Sequence, residues 1–375
     1  MFFKKNNFII LFVLLSNIVV YSQDILVIDS VDIHNFNHEE NFKDSIFQIN
    51  QINNKIKLSK EHYNKGVDFF NKSDYKNAVS NFDQAISNDT AFFDAYFFRY
   101  KSYYFLENYM FGIKDLNKLL SFDYKTDTIY YELARSFIKL NNLEFAKKNL
   151  LKSIKDNDKF YLSYYQFGVI YFMEENYKDA IEMFVKCLDI NPNYVYAYND
   201  LASAYKVAVD YDNAIKYYKL AINKNSDLPF LYSNLGSVYR KLKNYKESIS
   251  NYQLALDVDS NYYIAANNIS SLYFVMEDFE KSLFFAEKAI KIKYDYDLAH
   301  LNKGACLYKL TKYSEAVISF DKAIEYNQSN VQAYVNRGSA KEMLRDIEGA
   351  CHDWNKALEL GFKDAKKYIL YDCKY

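Results

Sequence analysis

Apolar side chains recur along most of this chain at the spacing of one helical face. Tyr198, Leu201, Ala202 and Tyr205 stand at i, i+3, i+4 and i+7, and after a short break Tyr211, Ala214, Ile215, Tyr218, Ala221 and Ile222 resume the pattern. Two amphipathic helices joined by a short turn are therefore the expected unit. Asn191-Pro192-Asn193, Asn225-Ser226-Asp227 and Asp259-Ser260-Asn261 punctuate the chain between units, because their side chains bond local backbone and favour turns and helix starts.

The unit repeats every 34 residues, in nine rows that run from 59 to 364 without an insertion. Position 8 of the row is small: Gly66, Ala134, Gly168, Ala202, Gly236, Ser270, Gly304 and Gly338, with Tyr100 alone out of character. Position 20 is small throughout, from Ala78 and Gly112 to Ala350, and position 27 carries Ala85, Ser153, Cys187, Ala221, Ala255, Ala289, Ala323 and Ala357. Large residues fill other columns, such as Tyr96, Tyr130, Tyr164, Tyr198 and Tyr232, or Phe82, Phe184, Tyr218, Tyr252, Phe320 and Trp354. Small columns let two helices approach closely. One such pair cannot bury its apolar face alone, so stacked pairs sharing a continuous core are expected.

Tyr164, Phe167-Gly168, Tyr171, Ala180, Phe184, Cys187 and Pro192 together resemble the repeat signature of the tetratricopeptide family. The likeness extends over about four fifths of the chain, with the second row (Tyr100, Gly112, Leu116, Leu119) departing from it. It implies an all-α, right-handed superhelical solenoid of nine helix-turn-helix repeats whose first helices line a concave groove for peptides or partner proteins. The terminal segment, with a capping helix over 365–375, keeps Ala365, Tyr368, Ile369 and Cys373 on an apolar face while Lys363, Lys366, Lys367 and Asp372 keep the other side wet, as a capping element requires.

Before the repeats, residues 1–22 read as an export signal: Lys4 and Lys5, then an apolar run from Phe8 to Val20, with cleavage expected after Ser22. That run is too short to span a bilayer, so no stable membrane span is expected after cleavage, and the chain is placed in the periplasm, at the cell surface or in the medium. Residues 23–58 read as a polar linker or a loosely attached helix. Lys plus Arg (47) balances Asp plus Glu (48) without a basic stretch, which argues against nucleic acid as a partner. The many tyrosines and phenylalanines (39 and 30) accompany only two prolines and eight glycines, a composition that favours long helices.

Chemical motifs are scarce. The sequence holds no nucleophile elbow, zinc-protease, dinucleotide or phosphate-loop pattern and no Cys-x-x-Cys pair, so a non-enzymatic chain without cofactor or metal is expected. His34 and His38, beside Glu39 and Glu40, read as solvated linker rather than as metal ligands. Cys187 reads as a buried filler, and Cys306 lies within a first helix. Cys351 and Cys373 are candidates for a disulfide that closes the terminal helix onto the last repeat in an oxidising compartment.

Binding then falls to the groove face of the first helices, positions 2, 5, 6, 9, 12 and 13 of each row. In the early rows it presents Tyr63, Phe97, Tyr131 and Tyr165 at position 5, and Phe70, Tyr104 and Phe172 at position 12. From the sixth row position 6 is Asn234, Asn268, Asn302 and Asn336, an amide column able to donate to and accept from a peptide backbone. The expected function is a scaffold of the cell envelope that binds an extended partner segment. A glycan-binding solenoid and a purely structural subunit remain open as alternatives.

Overall fold

The computed structural model describes residues 39–373. The expected signal segment 1–22, residues 23–38 with His34 and His38, and the final two residues lie outside them. Every element among the described residues is an α-helix.

The chain divides into two compact units, residues 1–170 and 171–375. In the first, α1 (Glu39–Asn71) pairs with α2 (Tyr75–Asn88), α3 (Phe93–Phe105) with α4 (Tyr109–Leu120), and α5 (Thr126–Lys139) with α6 (Leu143–Asp156). Helix α7 (Tyr161–Met173) contains the division. The second unit continues with α8 (Tyr177–Ile190), α9 (Val195–Val207), α10 (Tyr211–Lys224), α11 (Pro229–Lys241) and α12 (Tyr245–Val258). It ends with α13 (Tyr263–Val275), α14 (Phe279–Ile292), α15 (Asp297–Lys309), α16 (Tyr313–Tyr326), α17 (Val331–Met343), α18 (Ile347–Glu359) and α19 (Ala365–Asp372). Within it the first helices of successive rows, α9, α11, α13, α15 and α17, touch one another directly, so they form one continuous face.

One local device makes every hairpin. Position 15 is left-handed in all nine rows, at Ser73, Glu107, Asn141, Glu175, Val209, Lys243, Glu277, Thr311 and Arg345, with φ from 55° to 65°. The next amide, at position 16, thereby turns back to the carbonyl of position 11 at 2.8–3.0 Å and closes the first helix. The same position-16 residue opens the second helix: the side chains of Asp74, Asn142, Asn176, Asp210, Asp278 and Asp346 accept the amide three residues on. Stop and start signals share two adjacent residues, which fixes the angle between the helices.

Close approach then follows from the small column. A Cβ added to Gly304 would stand 2.5 Å from the Phe320 ring, and one on Gly338 would stand 2.6 Å from Trp354. Row two inverts the exchange. Its position 8 is Tyr100, buried to 1% exposure, whose ring lies over Gly112 of the second helix, while Leu116 replaces the usual ring. The Tyr100 hydroxyl donates to the buried Glu132 carboxylate at 2.6 Å, which satisfies the polar end of the inverted ring.

The boundary expected at residue 58 does not correspond to a structural break. Helix α1 runs unbroken across it, because Ile56 is buried and the Ser59 hydroxyl donates to the Ala85 carbonyl at 2.8 Å. The helical phase of the first repeat thus extends into the preceding segment. At the other end, α19 packs Ala365, Ile369 and Cys373 against Trp354 and Ala357. The sulfurs of Cys351 and Cys373 lie at bonding distance, 1.95 Å, with Cα atoms 5.7 Å apart.

Two outcomes are expected from this architecture. Val209 is a β-branched residue held left-handed at φ 64° and is 67% exposed, so Val209→Asn relieves strain without loss of packing. Its unfolding free energy in denaturant should rise by about 1 kcal/mol. Replacing Cys351 and Cys373 together with serine should lower stability by about 2–4 kcal/mol, and peptide mapping of the purified chain without reduction should recover the two cysteines linked. Recovery of both as free thiols would refute the bond.

Candidate functional site

The expected groove residues separate into two kinds of surroundings. In the first unit the aromatic column is largely spent on packing. Tyr63 meets Phe92 at 4.8 Å and Phe98 at 5.8 Å between ring centroids, and Phe70 meets Tyr75, Phe98 and Phe105 at 5.5–5.8 Å. Phe97 packs on Tyr100, and Tyr104 on Tyr109 and beneath the Arg135 guanidinium. Tyr131 is buried, against Phe160, and burial pushes its phenol up to about 12. Ring-on-ring contact covers part of this half, since neighbouring aromatics are the nearest surface each ring can cover. Tyr165 is half-buried, and Phe172 packs edge-on against Tyr177 at 5.4 Å.

The amide column lies in the second unit, and all four asparagines are half-buried. Asn234 donates to the Asn199 side chain at 2.9 Å, and Asn302 to the Asn267 side chain at 2.8 Å, each reaching the preceding repeat. Asn336 accepts from Gln332 at 2.7 Å. Two carboxamides are thereby held from behind with their carbonyl oxygens still able to accept.

Two cavities open on the face formed by these first helices, and they have the same construction two rows apart. The larger, about 510 Å³, is lined by positions 9, 12 and 13 of row six (Ser237, Arg240, Lys241), by Asn268 of row seven and by Lys206 of row five. The smaller, about 180 Å³, is lined by the corresponding Ala305, Tyr308 and Lys309 of row eight, by Asn336 of row nine and by Phe274 of row seven. Their difference comes from position 12. Aromatic residues there normally fold over the residue that starts the second helix, as Phe274 does on Phe279 at 5.5 Å and Tyr308 on Tyr313 at 5.4 Å. Rows five and six carry Lys206 and Arg240 instead, so the ring volume is missing and a cationic cavity takes its place. The signal stands in the sequence as the change from Phe70, Tyr104 and Phe172 to Lys206 and Arg240 at position 12.

Lys206 donates weakly to the Ser237 hydroxyl at 3.3 Å. Burial, followed by the nearby Lys241, pulls its ammonium below the usual lysine range. Among the described residues no carboxylate forms an ion pair with Lys206, Arg240, Lys241 or Lys243, whereas Arg99 and Arg337 each bridge two aspartates. The thiols supply no alternative chemistry: Cys187 and Cys306 are buried and free, with Cys187 pushed up to about 12 by burial. Among the described residues no cluster of three or more His, Cys, Asp or Glu side chains is placed to hold a metal ion.

The family model described as "Tetratricopeptide repeat" matches residues 161–194, 231–262 and 298–330, in register with the fourth, sixth and eighth rows. These three segments are tetratricopeptide repeats. The fold of the chain is that of a repeat protein from Parabacteroides merdae, at a TM-score of 0.52 and 18% identity over 66% of this chain and 98% of that one. The APC/C hetero-tetramer Cut9–Hcn1 aligns at 0.52 and 14% over 83% and 76%. A structure titled as YrrB, "a TPR protein with an unusual peptide-binding site", aligns over 51% of this chain and 98% of that one, at 19% identity and a TM-score of 0.40. No curated protein matches. Tetratricopeptide repeat proteins are in general interaction scaffolds rather than enzymes.

A half-buried cation without an acidic partner weakens the fold it sits in. Lys206→Met keeps the length of the side chain and removes the charge, so its midpoint in denaturant should rise. An unchanged or lowered midpoint would show that the cation is already compensated.

Proposed function

We propose that the chain binds an extended segment of a partner protein along the first helices of rows five to nine. The paired construction of the two cavities, with an asparagine of the next row at the rim of each, is the observation that carries this reading. A carboxamide column supplies donors and acceptors to a peptide backbone whatever its side chains, while the cavities receive side chains and set preference. No helix among the described residues is long and apolar enough to cross a membrane. The apolar run from Phe8 to Val20, the positive charges before it and the Cys351–Cys373 bond support action outside the cytoplasm, in the cell envelope or beyond it.

Alanine at Asn234, Asn268, Asn302 and Asn336 together should weaken capture of envelope proteins by the purified mature chain by at least about tenfold. Circular dichroism and the melting midpoint establish that the variant is folded. Undiminished capture by the folded variant, or binding to a glycan array with no polypeptide captured, would overturn the reading.

A further inference from the structure

Four cations gather on one cavity of a chain whose charges otherwise balance. Lys206, Arg240, Lys241 and Lys243 come from two successive rows and line the same space as Ser237 and Asn268. The matching cavity two rows on has a single cation, Lys309, and presents Phe274, Tyr308 and the buried Phe320. Like charges brought together without acids repel, and an anionic group placed among them removes that repulsion while gaining charge-assisted hydrogen bonds from Arg240, Lys241 and Lys206. The aromatic cavity, smaller and mostly apolar, takes a hydrophobic side chain. We propose that the groove selects partner segments by an acidic side chain seated in the Lys206–Arg240–Lys241–Lys243 cavity and an apolar side chain seated beside Phe274 and Tyr308. This specificity rests on the binding reading above.

The spacing follows from geometry. First helices of neighbouring rows lie about 10 Å apart, so the cavities are separated by about 20 Å. An extended chain rises about 3.3 Å per residue, which places the two anchors about six residues apart. The cavity is open and Arg240, Lys241 and Lys243 are exposed, so the acidic anchor is screened by salt whereas the apolar anchor is not.

The test uses the full mature chain and a fluorescein-labelled peptide of serine and alanine, acetylated and amidated so that it has no free carboxylate at its end. Two central glutamates are flanked on each side, about six residues away, by a phenylalanine, so that either chain direction satisfies the groove. Binding of the peptide, weakened by added salt, is expected, together with a loss of about tenfold or more when the glutamates become glutamines. Arg240→Gln with Lys241→Gln should abolish that difference while leaving the contribution of the phenylalanines intact. Equal binding of the glutamate and glutamine peptides would overturn the acidic preference while leaving peptide binding in place. Discrimination that survives in the Arg240→Gln, Lys241→Gln variant would overturn the assignment of the cavity. Preference for an uncharged peptide with a free terminal carboxylate would show that the cavity reads chain ends rather than side chains. Absence of binding by every peptide would overturn this proposal and the reading beneath it together.

Discussion

A Cβ at position 8 would collide with the Phe320 ring in the eighth row and the Trp354 indole in the ninth, and the close approach of the two helices in those repeats depends on that steric exclusion. A glycine facing a ring lets two helices approach until the ring covers both backbones, burying the aromatic completely. Row two shows that the requirement is for one large and one small partner, not for a particular side. Tyr100 supplies the ring from the first helix, and Gly112 on the second gives way. The second helix in turn is aimed by the left-handed residue and cap at positions 15 and 16, so local turn chemistry and core packing demand the same angle.

With the hairpin fixed, the remaining freedom lies on the face of the first helices. Position 12 sits where that face meets the start of the second helix, and its identity decides whether the space is closed by a ring or left open. Rings at Phe274 and Tyr308 close it partly against Phe279 and Tyr313. Lys206 and Arg240 leave it open, and the cavity that results is wide and cationic. The scaffold tolerates the change because the small-and-large exchange beneath it, such as Gly236 under Tyr252, is untouched. Stability and recognition therefore draw on different columns of the same repeat.

The ends of the array follow the same physics with different partners. Helix α1 extends past the first repeat because Ile56 and Ser59 find cover against α2. Helix α19 supplies the last repeat with the apolar surface that a tenth row would have provided, through Ala365, Ile369 and Cys373.

What the sequence determined by itself was the periodic part: the 34-residue unit, its two helices, the small columns and the capping helix, since each is a local or nearest-neighbour property that recurs in register. It also carries the Asp or Asn at position 16 in every row but the eighth, and the replacement of rings by Lys206 and Arg240 at position 12. Tertiary structure alone decided which groove-facing side chains were free. Tyr63, Phe70 and Tyr131 lie on the face where helical geometry puts them, yet rings of their own row or the next pack against them. Asn234 and Asn302 are tied to Asn199 and Asn267 of the preceding repeats, whereas among the described residues Lys206, Arg240, Lys241 and Lys243 form no ion pair with an acid. A face is set by angle within one helix and can be read from spacing. The occupancy of that face depends on which side chains from adjacent rows reach it first, and only the packed structure brings those rows together.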